Sequence, residues 1–125
     1  MRDLLKRLTV GLAIIALALP ALAQSQMELN QQAGQEFGKA DKRLNEVYRA
    51  LMAKLPPDHG AKLREAQVSW LRFRDQECVF ETMGTVGGSV HGMVETYCQA
   101  RLTQERVGQL EKQLNCQEGD LSCTH

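Results

Sequence analysis

The apolar residues in the first half of the chain fall on one helical line that stops at a double proline. Leu29, Ala33, Phe37, Ala40, Leu44, Val47, Leu51 and Leu55 follow one another at steps of three and four, which predicts a long amphipathic helix with a single buried stripe. Gly34 and Gly38 weaken its first turns. Pro56-Pro57 ends it, because proline lacks the amide donor and disfavours helix in the residue before it. Such a stripe cannot bury itself, so the rest of the chain must supply partners of the same kind.

Two further stretches do so. Leu63, Ala66, Trp70, Phe73, Glu77 and Phe80 repeat the spacing and predict a second helix from near Asp58 to about Met83. The glycines of GTVGGSVHG (Gly84 to Gly92) then interrupt the chain. A third helix is expected to start with Ser89 as its N-cap and to run through Val90, Val94 and Tyr97 to Leu114. Its stripe drifts around Arg101 and resumes at Thr103, Val107, Leu110 and Leu114, so either it bends or Thr103 caps a fourth short helix. No alternating strand pattern exceeds four residues. The expected fold is all-α: a small antiparallel bundle of three to four helices.

Residues 1–23 read as a signal peptide and stand outside that bundle. Arg2, Lys6 and Arg7 precede an almost wholly apolar run, Leu8 to Leu22, which closes on Ala21-Leu22-Ala23, the small-x-small pattern of a cleavage site. The run is shorter than the roughly 20 residues of a spanning helix, and no second one follows, so no membrane span is expected after cleavage before Gln24. An uncleaved anchor is the alternative. Of the 15 basic and 15 acidic residues, 12 Lys+Arg and 14 Asp+Glu remain after the leader. That slightly acidic balance offers no basic face for nucleic acid. Export places the protein in the periplasm or outside the cell, where four cysteines in a short chain read as two disulfides stabilising the fold.

The stretch WLRFRDQEC, Trp70 to Cys78, aims charges at the surface the second helix must bury. Arg74 and Glu77 lie close to the stripe of Trp70 and Phe73, and a bundle this small cannot bury either charge unpaired. The expected answer is a structural network in which Asp41 contacts Arg74 across the helix pair. Asn45 or Tyr48 completes the hydrogen bonds, and Glu77 stands at i+3 from Arg74. Acid–base work by Asp75 with Glu77 is excluded by geometry, since residues two apart on a helix point about 160° away from each other by way of the shorter arc. No catalytic residues are assigned.

Ala40 to Tyr48 (ADKRLNEVY), Ala66 to Cys78 (AQVSWLRFRDQEC), Gly87 to Ser89 (GGS) and Tyr97 to Arg106 (YCQARLTQER) together resemble the LprI-type lysozyme inhibitor domain. The resemblance covers roughly Met27 to Cys116. It implies an all-helical exported bacterial domain over residues 24–116, and, as in the family's named members, inhibition of lysozyme. One departure is local: the family pattern usually carries a cysteine early in the first helix, whereas the region around Ala33 has none and the tail has an extra Cys123.

Four cysteines permit three pairings. Cys78 ends the second helix and Cys98 lies on the helix returning after the glycines, so the antiparallel turn brings those two together. Cys116 and Cys123 then close the tail, residues 117–125, with Gly119 at its bend. A metal site of Cys116, Cys123 and His125 fits no standard spacing and lacks a fourth ligand; His59 and His91 read as caps or solvated side chains. No metal and no cofactor are expected. GTVGGSVHG lacks the Gly-Lys-Ser/Thr ending of a phosphate-binding loop. It is either a flexible connector or a recognition loop of Gly87, Gly88, Ser89 and His91, clamped at its base by Cys78–Cys98, with Glu81 and Glu95 beside it for a basic partner.

The leading function is therefore a protein–protein inhibitor that blocks the muramidase cleft of a lysozyme-type partner. The alternative is an exported structural or adaptor domain of the envelope that uses its helical faces. An enzyme ranks last, since no nucleophile–base pair or metal set is visible.

Overall fold

The computed structural model describes residues 25–125, so the expected leader, residues 1–23, lies outside the described residues. The chain divides into two units, residues 1–32 and 33–125. In the first, Gln26 Nε2 donates to Asn30 Oδ1 one turn on, at 3.0 Å. The second holds the bundle.

It is built from α1 (Arg2–Lys54) from Ala33 onward, α2 (Pro57–Glu81) and α3 (His91–Leu114), with a 3-10 turn at Met83–Thr85. No strand occurs among the described residues. The α1 stripe is buried at Ala33, Ala40, Leu44, Val47 and Leu51, half-buried at Phe37 and Leu55, and exposed at Leu29, which precedes the bundle. Leu44, Val47 and Leu51 meet Val107 and Leu110 of α3, and Tyr48, Leu55, Leu63, Trp70 and Leu114 pack half-buried around them. Each fully buried Leu or Val stabilises the fold by about 1.5–3 kcal/mol relative to exposure. At the rim Arg43 Nη2 donates to Glu111 Oε1 at 2.6 Å, which raises Arg43 above its ordinary value. Lys54 Nζ donates to the Leu114 carbonyl at 3.3 Å, supplying an end-of-helix oxygen with the donor it lacks.

The prolines that stop α1 also start α2. Pro56 occupies the N-cap and Pro57 the first turn, where the missing N–H costs nothing. The Gly60 amide makes the first helical bond, to the Pro56 carbonyl at 2.8 Å. Gly60 is buried, and a Cβ there would stand 3.3 Å from Met52 Cε. A bare glycine is what lets the start of α2 lie this close to α1.

The buried line of α2 differs from the expected stripe. Gly60, Gln67, Arg74 and Cys78 are its buried residues, and on a wheel they fall within an arc of about 40°. Phe73 and Phe80, expected to be inside, are 50% and 68% exposed. The helix is thus turned by about 95° from the orientation its expected stripe suggests. What overrides that stripe is a polar seam along α3.

In that seam Arg74, only 8% exposed, donates from Nε to Asp75 Oδ1 at 2.9 Å and from Nη1 to Thr103 Oγ1 at 3.4 Å. Its guanidinium lies 5.2 Å from the Phe37 ring centroid and 5.5 Å from that of Trp70. Arg106 of α3 covers the same indole at 5.8 Å and donates to Gln67 Oε1 at 3.1 Å. Trp70 also packs against Cys78, Cys98 and Leu102, so it joins the two halves of the core.

The expected Asp41–Arg74 contact is corrected here. Because α1 and α2 run antiparallel, the α1 residue level with Arg74 is Phe37, and Asp41 lies a turn further along. Asp41 accepts from Asn45 Nδ2 at 3.4 Å instead, and Asp41, Asn45 and Tyr48 line a groove with Arg64 and Gln67. Glu77 is half-buried, and the carboxylate that pairs with Arg74 is that of Asp75. Two readings of α3 also change. It runs unbroken from His91 to Leu114, its N-cap is Val90 without a side-chain cap bond, and so Ser89 does not cap it. Thr103 starts no fourth helix; it is fully buried and accepts from Arg74.

Candidate partner-binding surface

The junction of α2 and α3 is built to hold its shape. The Cys78–Cys98 disulfide joins the two helices with their Cα atoms 5.6 Å apart. One turn on, Arg101 Nη2 donates to both oxygens of Glu81, at 2.8 and 2.7 Å, which raises the Arg101 guanidinium above its ordinary value. The Thr82 hydroxyl donates to the Cys78 carbonyl at 2.6 Å. A bridge, a bidentate ion pair and a side-chain cap therefore share one level of the helix pair.

Beyond that level the chain folds into successive turns. The amides of Thr85, Gly88 and His91 donate to the carbonyls of Thr82, Thr85 and Gly88 at 3.0, 2.9 and 3.3 Å. The Thr85 hydroxyl donates to the Thr82 carbonyl at 2.8 Å. With that hydrogen spent, the 2.9 Å contact between Thr85 Oγ1 and His91 Nδ1 assigns the donor to His91. Gly87 takes φ +84, a left-handed conformation that side chains disfavour. A Cβ on Gly88 would lie 3.1 Å from the Thr85 carbonyl. Both glycines answer to geometry, and the loop is a chain of hydrogen-bonded turns.

Of the residues expected to meet a partner, Gly87, Gly88 and Ser89 are exposed, while His91 is half-buried. His91 is also engaged from within, by Thr85 and by Glu95, whose Oε2 lies 3.4 Å from Nε2. Glu81, expected to greet a basic partner, spends its carboxylate on Arg101, while Glu95 stands beside His91. Sequence reasoning did not find the apolar collar around the loop. Val79, Phe80, Met83 and Val86 are all between 57% and 70% exposed, and Val79, Phe80 and Met83 line one shallow apolar depression with Asp75 and Gln76. The signal was present: Val68, Leu71 and Val79 sit off the expected stripe, so α2 is apolar around more of its circumference than one core can cover. Singly exposed apolar residues are ordinary, whereas a contiguous group beside a loop makes this face the candidate interaction surface.

The second disulfide, Cys116–Cys123, closes the tail with Cα atoms 5.7 Å apart. Among the described residues no group of three or more His, Cys, Asp or Glu could hold a metal ion, and no helix is long and apolar enough to cross a membrane.

A small helical domain with a disulfide-braced, apolar-rimmed loop has the anatomy of a binding module. The sequence comparisons identify the module. The family described as Lysozyme inhibitor LprI matches residues 20–110, and the chain belongs to that family. It is similar to an uncharacterized protein of Rhizobium meliloti (strain 1021), with 32% identity over 109 positions that cover 77% of this chain and 78% of the relative. No solved structure matches it.

Proposed function

We propose that this protein is an exported inhibitor of lysozyme that acts by binding, with the loop between α2 and α3 entering the muramidase cleft and the collar of Val79, Phe80, Met83 and Val86 packing against its rim. The observation that carries the reading is the collar itself: four large apolar side chains left in solvent, Val79 and Phe80 at the end of α2 and Met83 and Val86 within a loop that has three glycines. Bracing favours such a role. A loop already fixed by Cys78–Cys98, Glu81–Arg101 and its own turns loses little further entropy on binding. Gly87 and Ser89 present backbone and hydroxyl donors and acceptors, and a glycosidase cleft offers two carboxylates and sugar-binding polar groups to receive them. His91, tied to Thr85 and Glu95, shapes the loop from behind rather than reaching out from it.

Lysis of a cell-wall suspension by lysozyme, with and without the purified protein, tests the reading. Inhibition saturating at one protein per enzyme supports it. Unimpeded lysis would favour the structural or adaptor domain instead, with the same collar serving an envelope protein.

A further inference from the structure

The end of the bundle remote from the glycine loop, about 30 Å away along α2, holds a second feature. A cavity of about 570 Å³ opens where α1 and α3 end and α2 begins. That lies within the range of roughly 300–1,000 Å³ typical of small-molecule sites. Leu51, Leu55, Leu63, Ala66 and Leu110 supply most of its wall, and Leu51 and Leu110 are core residues.

The C-terminal tail is fastened across it. Gln113 Nε2 donates to the Ser122 carbonyl at 2.9 Å, and the Thr124 hydroxyl donates to Gln113 Oε1 at 2.9 Å. His59 Nδ1 donates to the Thr124 carbonyl, and Cys123 is tied back to Cys116. Cys123 and Thr124 thereby become part of the cavity wall. This strap lies beyond residue 110, where the family match ends.

One charged group faces this apolar space from the side. Arg106 lines the cavity, half-buried, and its hydrogen bonds run to two amide oxygens, Gln67 Oε1 at 3.1 Å and Gln109 Oε1 at 3.0 Å. No carboxylate among the described residues lines the cavity. Burial pushes the Arg106 guanidinium below its ordinary value, as expected of a cation desolvated without a counter-charge. Lys62 stands at the mouth, exposed and paired with Glu65 at 3.1 Å. The surroundings of Arg106 are thus complementary to an anion, and the leucines to an alkyl chain.

We propose that this cavity binds a single-chain amphiphile with an anionic head, of the fatty-acid class, with its chain along Leu51, Leu55, Leu63 and Leu110 and its carboxylate at Arg106. The site is separate from the loop and does not depend on the inhibitor reading.

Trp70 is the protein's single tryptophan, and its ring lies 5.8 Å from the Arg106 guanidinium, so its emission reports on the site. Monomeric decanoate is titrated into the purified protein, with 1-decanol as the uncharged comparison. The expected result is a saturable one-to-one change in emission, with decanol at least about tenfold weaker, a difference of about 1.4 kcal/mol. Ala66→Phe, which fills the cavity from an exposed wall position, weakens decanoate by at least about tenfold at unchanged thermal stability. Arg106→Gln removes the preference for decanoate over decanol; should that variant fail to fold, the Ala66→Phe result decides. The proposal is overturned by an unsaturable response, by equal affinity for decanoate and decanol, or by undiminished binding to Ala66→Phe. It is equally overturned if the protein prefers phosphatidylglycerol vesicles to monomeric decanoate and Ala66→Phe leaves that preference intact, since the anion site would then be on the surface.

Discussion

Arg74 on α2 donates from Nη1 to the hydroxyl of Thr103 on α3, 3.4 Å away inside the bundle. The same guanidinium lies against Phe37 of α1 and Trp70 of its own helix, so one side chain touches all three helices. Its ion partner Asp75 is 56% exposed, which keeps the pair's own contribution small. Arg74→Ala removes the aliphatic stem and both ring contacts and is expected to cost about 2–4 kcal/mol. Arg74→Met keeps the stem and should lose less than half of that. Urea denaturation of the two variants measures the difference, and an alanine variant as stable as the parent would show that the seam does not hold the fold.

The bridges contribute in different places. By the chain-entropy estimate, Cys78–Cys98, with its 20-residue separation, stabilises the fold by roughly 3 kcal/mol. Replacing both cysteines by serine should lower the melting temperature and, if the loop is the binding element, weaken inhibition as well. The corresponding change at Cys116 and Cys123 should release the tail and leave lysozyme inhibition within about twofold of the parent, a difference of about 0.4 kcal/mol. Thermal melts run beside lysis assays separate the two effects.

How much of this could be read in advance differs by helix. The α1 stripe was legible because every residue at its spacing is apolar and its flanks are charged, and Ala33, Ala40, Leu44, Val47 and Leu51 are indeed buried. In α2 the large aromatics misled. Gln67 and Arg74 occupy the interior because Arg106 and Thr103, some thirty to forty residues away in sequence, satisfy them, and a wheel of α2 alone contains neither partner. With the polar line turned inward, Phe73 and Phe80 are forced outward. The loop's glycines were legible as a break, but its chain of turns depends on Thr82, Thr85 and His91 meeting in space. The same limit applies to the tail, whose placement over the leucines is set by side-chain bonds from His59 and Gln113.

Gly87 carries a positive φ of 84, so Gly87→Ala should cost about 1–2 kcal/mol through backbone strain alone. Gly84 has open space at its Cβ position and no such φ, and Gly84→Ala should be close to neutral. Equal melting temperatures for the two variants would contradict the turn geometry.

The tail should loosen in acid. The Ser122 amide and hydroxyl both donate to Asp120 Oδ1, at 2.9 and 2.7 Å, and hold the carboxyl below its ordinary range, the amide bond contributing most. A carboxyl with a depressed folded value stabilises the tail fully above its unfolded value of about 3.9 and loses that contribution as the pH falls through the folded value beneath it. Carboxy-terminal protection from proteolysis or amide exchange should therefore persist at about pH 5 and fall at about pH 3. Asp120→Ala should show the released tail at neutral pH, and a tail equally protected in both would contradict the assignment.

The central claim is that the collar around the loop is the surface that stops lysozyme, and a paired substitution tests it most directly. Phe80 and Met83 are exposed at 68% and 62%, so Phe80→Ser with Met83→Ser should leave the fold and its melting temperature nearly unchanged. Titrated against lysozyme in a lysis assay, the parent protein is predicted to inhibit saturably, and the double variant to need at least about tenfold more protein for half-inhibition, a loss of about 1.4 kcal/mol or more. A folded double variant that inhibits at the parent's concentration would contradict the claim and move the contact to another face of the bundle.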